Sequence, residues 1–523
     1  VAPVDAQSKI TGRREADDPV GIIDLDGMAP KAANDRRPEL RIQSAATMAE
    51  WIRDGLGTGP LAGMFIRDND IVFTPREGEE GYVPPKDGDH DGPAQIRIFT
   101  PGMITARIQW TYKCFRWEKD DNDRWIKVPA MFPSSASGVA VNAADMVPNL
   151  RRLRGVTHTP IVRADGSVLT APGYDGATKL LHLPEPGLEV PAVPEQPTDE
   201  DVEKAVELLD EMVDGFPFTS EHHKANYYGY LLTPLLREIT PPPYKLGAIT
   251  APQPGSGKTL LATVARTIHG GVVRGEMPED EAELRKQVTA ILDGTTGVIV
   301  HIDNVSGLLS SSTLAALLTS ARWDDRLLGV SQMISRANDR LWVITGNNVA
   351  IGGDLPRRTV MIVIDPKQPH PERRTNFKIK DLESWARDRR GELLHALLTM
   401  IRAWIVAGRP TDEETGSDGY STWIRAVRGI LKHAKIPGVF DHDDTRLDVG
   451  VGDDEWADFL EAVHRVKGEE EWTVKDLLVE FGETEEINGF RVTREGRLSV
   501  DCLPARLAEK VDKARGNVKA IAR

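Results

Sequence analysis

The sequence has few cysteines and no long apolar run. Its 523 residues include only two cysteines, Cys114 and Cys502, which lie too far apart in the chain to suggest a disulfide framework, so we expect a cytoplasmic protein. No apolar stretch approaches the roughly 20 residues of a membrane-spanning helix, and we expect no membrane partner. The first residues lack both a signal-peptide core and Met, which suggests that an upstream piece is missing.

Basic residues are also fewer than acidic ones. The chain has 65 Lys and Arg against 80 Asp and Glu, a formal net charge of −15, whereas a protein that coats duplex DNA with its outer surface is more often basic. Any contact with nucleic acid is therefore expected on a local basic surface, such as the interior of a ring. The length allows roughly three to four domains of about 150 residues each.

A glycine-rich loop follows a buried strand in the stretch KLGAITAPQPGSGKT, residues 245–259. It fits the pattern G-x-x-x-x-G-K-[ST], except that Pro252 stands where the first Gly is usual. We expect the loop N–H groups to face a phosphate, Lys258 to reach the β- and γ-phosphates, and the Thr259 hydroxyl to bind Mg²⁺. The residues predicted to hold the nucleotide are Gly255, Ser256, Gly257, Lys258, Thr259 and Leu260.

Two later strands end in polar side chains. An apolar run from Gly297 ends in Asp303 and Asn304, which is typical of a buried parallel strand whose carboxyl end holds a ligand. Asp303 is expected to be the acidic Mg²⁺ ligand, beside Thr259. The second strand ends in the sequence TGNN, where Asn347 is expected to orient the attacking water.

Two arginines, Arg357 and Arg358, precede another apolar strand. Both cannot point into a core, so we expect one to support the fold and the other to reach a phosphate bound by a neighbouring subunit, as an arginine finger. We assign the finger to Arg358. A surface ion pair is the alternative.

The order of these motifs resembles that of the AAA+ ATPases and, more narrowly, the superfamily 3-type helicase domains of phage, plasmid and viral replication proteins. The resemblance covers about residues 198–366. It implies ATP and Mg²⁺ as cofactors and a homo-oligomer, usually a hexamer, around single-stranded or forked DNA, often beside a primase or polymerase domain. The catalytic residues that it implies are Lys258, Asp303, Asn304, Asn347, Arg357 and Arg358.

The same resemblance implies a DNA-contacting hairpin before the TGNN strand. By position this hairpin is residues 330–341, with strands at 327–334 and 341–345, and its DNA contacts are Arg336 and Arg340. Asn304 departs from the family, which usually has a second carboxylate there. The catalytic base is therefore left open between a water positioned by amides and the acids Asp324 and Asp325.

The predicted fold is α/β: an AAA+ P-loop core with a parallel sheet, an N-terminal α+β domain, a helical collar and lid, and a C-terminal winged-helix-like domain. The predicted boundaries are a disordered segment at 1–40, the α+β domain at 41–183, linker and collar at 184–240, the ATPase core at 241–375, the lid at 376–445 and the winged-helix-like domain at 446–523. In the α+β domain we expect a helix at 104–117. Its basic and aromatic face either binds nucleic acid or is a packed helix with a solvated edge; these residues are Arg107, Trp110, Lys113, Arg116 and Trp117.

Three functions fit this pattern. The first is an ATP-dependent DNA helicase that replicates a phage, plasmid or integrated mobile element. The second is an initiator or loader that binds DNA and hydrolyses ATP without processive unwinding. The third, a DNA-binding scaffold with a relic nucleotide site, is disfavoured because Lys258, Thr259 and Asp303 are all present.

Overall fold

The structure is a computed structural model. It describes residues 36–58, 61–67, 70–74, 96–142, 147, 149–185, 187–275, 277–278, 280–326, 333–368, 370–375, 377–411, 419–440, 459–468, 473, 480, 484–487, 490–493 and 498. These residues form a mixed α/β protein that divides into two compact units. Within the described residues, no helix combines the length and the apolar character needed to cross a membrane.

The helices are α1 (Ala45–Gly55), α2 (Pro101–Thr111), α3 (Ser134–Asn142), α4 (Asp199–Val213), α5 (Glu221–Leu232), α6 (Lys258–His269), α7 (Glu281–Gly294), α8 (Ser312–Leu317), α9 (Leu382–Asp388), α10 (Arg390–Val406) and α11 (Ser421–His433). The strands are β1 (Glu39–Arg41), β2 (Met64–Arg67), β3 (Asp70–Phe73), β4 (Arg97–Ile98), β5 (Lys113–Lys119), β6 (Trp125–Pro129), β7 (Arg151–Arg152), β8 (Gly155–Thr157), β9 (Ile161–Val162), β10 (Val168–Leu169), β11 (Gly173–Asp175), β12 (Leu180–His182), β13 (Leu246–Ala251), β14 (Gly271–Arg274), β15 (Ile299–Leu309), β16 (Arg322–Arg326), β17 (Met333–Ala337), β18 (Leu341–Ile351), β19 (Thr359–Val363), β20 (Thr484–Ile487) and β21 (Phe490–Thr493).

The first unit contains α1, α2, α3 and a three-stranded sheet in the order β1-β5-β6. The helix predicted at 104–117 is wrong at its C-terminal end, because α2 ends at Thr111 and Tyr112 is extended. Residues 113–119 form β5, in which aromatic and charged residues alternate as strands favour. The carboxylate of Asp120 accepts hydrogen bonds from the backbone N–H groups of Asn122 and Arg124 and so closes the turn into β6.

The second unit begins with three small sheets, of four, three and two strands. The strands β2 and β3 form an antiparallel hairpin and lie in a sheet of order β4-β3-β2-β7. Residues 62–99 cluster with the second unit, whereas α1 and α2 belong to the first. The stretch predicted as one α+β domain, residues 41–183, is therefore divided between the two units.

A five-stranded sheet, all of whose pairings are parallel, forms the centre of the second unit, in the order β14-β15-β18-β13-β19. Every residue of β13 is buried, as expected of a central strand covered on both faces. The chain leaves β13 for the far edge at β14, returns through β15 and β18, and then places β19 on the other side of β13. The carboxyl end of β13 is thus the point where strand order reverses, and ligands bind at such points in open α/β sheets.

Helices before and after the sheet pack into one hydrophobic core with it. A capping box begins α4, in which Thr198 and Asp201 exchange side-chain-to-backbone hydrogen bonds. Within the stretch predicted as the lid, Arg389 separates α9 from α10. Most of the predicted winged-helix-like domain and of the N-terminal segment lies outside the described residues, apart from short pieces such as β1 and the antiparallel pair β20 and β21.

Candidate functional site

The loop between β13 and α6 has the conformation that the glycine-rich motif predicts. Gly257 has a φ of 99°, and a Cβ atom at this position would lie 2.9 Å from the ring of Phe216. Glycine is therefore required here both by the backbone and by the neighbouring ring. Helix α6 starts directly after it at Lys258, so the positive end of a 12-residue helix meets the loop.

The Lys258 ammonium lies beneath this loop. Its Nζ atom donates hydrogen bonds to the Gln253 carbonyl at 3.1 Å and to Oδ1 of Asn347 at 2.7 Å, and the residue is 7% exposed. Burial lowers the pKa of Lys258, while the negative charge of Asp303 acts in the opposite direction. The structure thus brings together three predicted site residues: Lys258 at the start of α6, Asp303 of β15 and Asn347 of β18.

The Asp303 carboxylate is fixed by three donors. Its Oδ1 atom accepts hydrogen bonds from the Thr259 hydroxyl at 3.1 Å, from the backbone N–H of Asn304 at 3.0 Å and from the Thr345 hydroxyl. Burial raises the pKa of Asp303, but the hydrogen bonds from Thr345 and Thr259 outweigh it, and the pKa lies below its ordinary value. The carboxylate is therefore ionised at neutral pH, beside the hydroxyl with which it was predicted to share a metal.

A β-bulge aims this carboxylate. The pairing of β15 with β18 is regular up to Ile302, shifts, and resumes at Val305, so that Asp303 and Asn304 stand opposite Thr345. Asn304 has a φ of 61°, in the left-handed region that Asn adopts more readily than most residues. Bulges commonly redirect a side chain next to a functional site. The bulge gives a backbone reason for an amide at position 304, which the sequence alone did not supply.

The glycine of the TGNN sequence has a steric cause. A Cβ atom on Gly346 would lie 2.0 Å from the Val305 carbonyl oxygen, so no other residue fits against the bulge. The next residue, Asn347, pairs in register with Ala251 at the end of β13. This register places the Asn347 side chain beside the start of α6, where its Oδ1 atom accepts the hydrogen bond from Lys258.

His301 is a member of the site that sequence reasoning missed. Its Nε2 atom lies 2.9 Å from the Thr345 hydroxyl oxygen, and the residue is fully buried. Burial lowers the pKa of His301 to about 4, so the ring is neutral. Because Thr345 donates its proton to Asp303, Nε2 must carry the ring proton and donate to Thr345. Periodicity gave no signal for this, since a His in an apolar strand is most simply a core residue.

The two predicted finger arginines lie at the amino end of the parallel strands, opposite the end that carries the glycine-rich loop. Arg357 and Arg358 form a 3₁₀ turn with Pro356 directly before β19, which runs parallel to β13. The five residues of β19 span roughly 16 Å, which separates the arginines from the loop end of the sheet. The Arg357 side chain is 72% exposed and that of Arg358 is 12% exposed, and each lies 3.7 Å from Asp354.

The two predicted DNA contacts are buried, which corrects their assignment. Arg336 is 5% exposed, and its Nε atom donates to Asp293 at 2.7 Å. Arg340 is 7% exposed and donates to Asp339 at 2.7 Å and to the Thr295 carbonyl at 2.8 Å. A phosphate contact needs an accessible cation, and both of these guanidinium groups are held inside by acids of the same unit.

The hairpin itself is displaced from its predicted position. Its strands are β16 and β17, paired from Arg322 with Ala337 to Arg326 with Met333, so the expected turn at 335–339 is wrong. The chain joining them, residues 327–332, lies outside the described residues. Asp325, one candidate base, accepts hydrogen bonds from two residues of α7, Arg285 at 3.0 Å and Thr289 at 2.6 Å. Its carboxylate therefore holds the hairpin against α7.

A cleft opens beside the loop. It encloses about 830 Å³, including the part open to solvent. Apolar side chains from α4, α6 and the segment before α9 line it together with the loop backbone: Met212, Phe216, Leu260, Phe377, Ile379 and Leu382. Apart from Leu260, sequence reasoning identified none of these residues, because they come from segments far apart in the chain.

No protein-family model matches the sequence, and no curated protein matches it. Among solved structures, the chain is similar to the C-terminal region of NrS-1 in its A-form apo structure, with a TM-score of 0.31, 14% identity, and coverage of 73% of this chain and 96% of that one. A second structure of that region gives a TM-score of 0.32, 13% identity, and coverage of 72% and 95%.

The JCV helicase, solved with a bound thiazolopyridine-containing acetamide, gives a TM-score of 0.23, 16% identity, and coverage of 51% of this chain and 73% of that one. Because all three TM-scores are low, the functional conclusion depends on the geometry of this chain's own site.

Proposed function

We propose that the second unit is an Mg²⁺-dependent ATPase. The observation that carries this proposal is the convergence of Lys258, Thr259, Asp303 and Asn347 at one edge of three adjacent parallel strands. A cation, a hydroxyl, an ionised carboxylate and an amide are the groups that phosphoryl transfer needs for positioning and charge stabilisation. Scattered polar residues would not meet in this way unless the fold aimed them at a common ligand.

The residues present fit Mg²⁺. The Thr259 hydroxyl and the Asp303 carboxylate lie 3.1 Å apart and would both bind the ion. Mg²⁺ usually takes only one or two protein oxygens, with phosphate and water oxygens as its other ligands. Within the described residues no group of three or more His, Cys, Asp or Glu side chains could hold a metal ion by itself. Bound there, Mg²⁺ would neutralise charge on the phosphates.

Each side chain then has a defined task. Lys258 would exchange its hydrogen bonds to Gln253 and Asn347 for phosphate oxygens. Asn347, released from the ammonium, would orient water toward the terminal phosphate. The chain from His301 through Thr345 holds Asp303 in place, so that little reorganisation is needed when charge develops.

The cleft beside the loop is the proposed site for the nucleotide base. Its apolar lining, from Phe216, Leu260 and Phe377, directly adjoins Gly255 and Gly257 of the loop. Small-molecule sites are typically apolar clefts with a few polar groups at one end. A nucleotide would thus extend from this cleft, across the loop, to Asp303.

The position of the arginines supports an assembly of several subunits. Arg357 lies at the sheet edge away from its own loop and is exposed, so it can reach a phosphate only on another copy of the chain. The exposures favour Arg357 over Arg358 as the finger. Together with the order of motifs, this supports a homo-oligomeric ring, a hexamer by analogy, that acts on single-stranded or forked DNA as a helicase for replication. An initiator or loader that hydrolyses ATP without unwinding is the second candidate.

The test combines turnover with strand displacement. We expect the wild-type protein to hydrolyse MgATP and to separate a tailed duplex, and Lys258→Ala to lose most nucleotide binding or hydrolysis while its far-ultraviolet circular dichroism is unchanged. Wild-type turnover by a folded Lys258→Ala variant would refute the site. Hydrolysis without strand separation on both 3′- and 5′-tailed substrates would favour the initiator or loader.

A further inference from the structure

One face of the sheet in the first unit collects aromatic and basic side chains. Alternate residues of a strand lie on the same face, and the register of β5 with β1 and β6 identifies which residues share it. The residues of this face are Glu39, Arg41, Lys113, Phe115, Trp117, Lys119, Trp125, Lys127 and Pro129. We refer to this set as the aromatic face.

The rings of the aromatic face are open to solvent. Trp117 is 43% exposed and Trp125 is 64% exposed. The Phe115 and Trp117 rings are neighbours, with centroids 6.1 Å apart and planes at 86°. Large exposed aromatic side chains grouped on one face usually mark a surface that binds something.

Lysines lie among these rings. The Lys127 ammonium lies 4.0 Å from the centroid of the Phe115 ring, and that of Lys119 lies 5.7 Å from the Trp125 ring. Lys127 pairs with Glu39 and Lys119 pairs with Asp123, but exposed ion pairs contribute little free energy and can be exchanged for a phosphate. The face therefore presents flat apolar rings with cations beside them.

The charge of this unit differs from that of the whole chain. Counted over the full sequence, this unit carries 14 Lys and Arg against 14 Asp and Glu, while the complete sequence carries 65 against 80. The first unit is therefore neutral and the excess of negative charge lies in the second, so the first unit is the part of this acidic chain better suited to bind a polyanion.

We propose that the aromatic face binds single-stranded DNA. Bases would stack on Trp117, Trp125 and the Phe115 ring, while Lys119 and Lys127 contact the phosphates, which is the combination that single-strand binding uses. A duplex hides the faces of its bases, so the rings favour an unpaired strand. The choice of DNA over RNA rests on the proposed function of the second unit; the stacking surface itself does not.

The experiment measures binding of a fluorescein-labelled dT oligonucleotide to the full chain by anisotropy, without nucleotide. For the binding measurement, all variants of the aromatic face are made in the Lys258→Ala background. ATP turnover is measured separately on the same variants with Lys258 intact. This separates the two proposals, because the aromatic face can bind DNA when the ATPase site is inactive, and the ATPase site can turn over when the aromatic face is altered.

We expect Trp117→Ala and Trp125→Ala each to weaken binding by about 5- to 150-fold, the usual effect of losing one stacked ring. Trp125→Phe keeps a ring and should retain most of the affinity. Lys119→Ala and Lys127→Ala should each reduce the slope of log affinity against log salt by about 0.7. The matched control is Trp110→Ala, which removes another exposed tryptophan, from α2 and not from the aromatic face.

Several results would overturn the proposal. These are unchanged affinity in the Trp117→Ala, Trp125→Ala double variant, an equal loss in Trp110→Ala, equal affinity for duplex DNA, or tighter binding to an RNA of the same base sequence. If the face instead contacts another copy of the chain, the double variant will sediment as a smaller species than the parent protein with DNA affinity unchanged, and this too would contradict it.

Discussion

The Nζ atom of Lys258 donates a 2.7 Å hydrogen bond to Oδ1 of Asn347, which joins the first residue of α6 to β18. A ligand that draws away the ammonium frees this amide at the same moment. The pair thus connects the side chain proposed to hold phosphate with the one proposed to orient water.

Asn347→Ala should lower kcat for ATP hydrolysis by roughly 10²-fold, as expected when one positioned hydrogen-bonding group is lost, with a smaller change in KM. Asn348→Ala is the matched control, because Asn348 is the next residue and donates only to the Pro252 carbonyl at 3.3 Å. Steady-state kinetics on both variants distinguish the two positions. Equal losses of kcat would show that the strand end, and not the Asn347 amide, is what matters.

Asn304 should tolerate aspartate. Its φ of 61° is accessible to Asp as well as Asn, so Asn304→Asp should leave ATP turnover unchanged or raise it. Asn304→Val should destabilise the protein by about 1–2 kcal/mol, because a branched side chain is strained in the left-handed region. Thermal unfolding and ATP turnover are measured on both variants. In the same turnover assay, Asn304→Ala should lose less activity than Asn347→Ala. Loss of hydrolysis in Asn304→Asp with ATP still bound would show that the amide itself is required.

The sequence predicted the parts of this site that local patterns encode. The glycine-rich loop, Asp303 and the TGNN sequence are each recognisable within a few residues, and the fold places them together. The two strands that the sequence predicts to end at these polar residues continue beyond them, β15 to Leu309 and β18 to Ile351. The bulge at Asn304 and the role of His301 depend on the register between β15 and β18, which no single segment specifies. The strands of the hairpin lie five to eight residues before their predicted positions, because the apolar run at 327–334 predicts its first strand.

Burial was the property least accessible from sequence. Two arginines before β18 were read as surface contacts, yet Arg336 and Arg340 are enclosed by Asp293 and Asp339. A long charged side chain is usually exposed, and only the tertiary fold shows where an acid lies close enough to hold it inside. The aromatic face was equally inaccessible, because the sequence predicts a helix over 104–117, whereas residues 113–117 belong to β5.

Arg357→Ala should lower ATP turnover by about 10³-fold or more and leave nucleotide binding intact, since a finger acts on the transition state. Arg358→Ala is the control: the Arg358 side chain is mostly enclosed beside the same Asp354, so its loss should affect stability more than turnover. Mixing Arg357→Ala with Lys258→Ala subunits should restore part of the activity, because some interfaces then have both groups. No recovery in mixed assemblies, confirmed by native mass measurement, would count against a site shared between subunits.

Arg340→Ala should reduce the free energy of unfolding by about 3–5 kcal/mol, the usual effect of removing one partner of a buried ion pair. The Asp339 carboxylate would keep only Arg237, at 3.4 Å, and the Thr295 carbonyl would lose its donor. Arg425→Ala, which removes an exposed arginine from α11, should change stability little. Urea unfolding measures both. If Arg340→Ala instead weakens DNA binding at unchanged stability, the guanidinium is accessible after all.

The last prediction concerns acid sensitivity. Burial in the core at the end of α6, together with the positive charge of Arg390, lowers the pKa of His269 to about 3. The unfolded chain binds this proton near pH 6.5, so the unfolded state gains protons first as the pH falls, and stability is lost between about pH 6.5 and pH 3. Burial lowers the pKa of His158 in the same direction.

We therefore expect wild-type protein to lose stability between pH 7.5 and 5.5, with about 1.4 kcal/mol of the loss from His269 alone. His269→Gln should remove that part of the pH dependence, whatever its effect on stability at pH 7.5, because glutamine does not titrate. Urea midpoints at the two pH values give the comparison. A His269→Gln variant whose stability falls by as much as the wild type's over this interval would show that His269 is protonated in the folded protein, contrary to its burial.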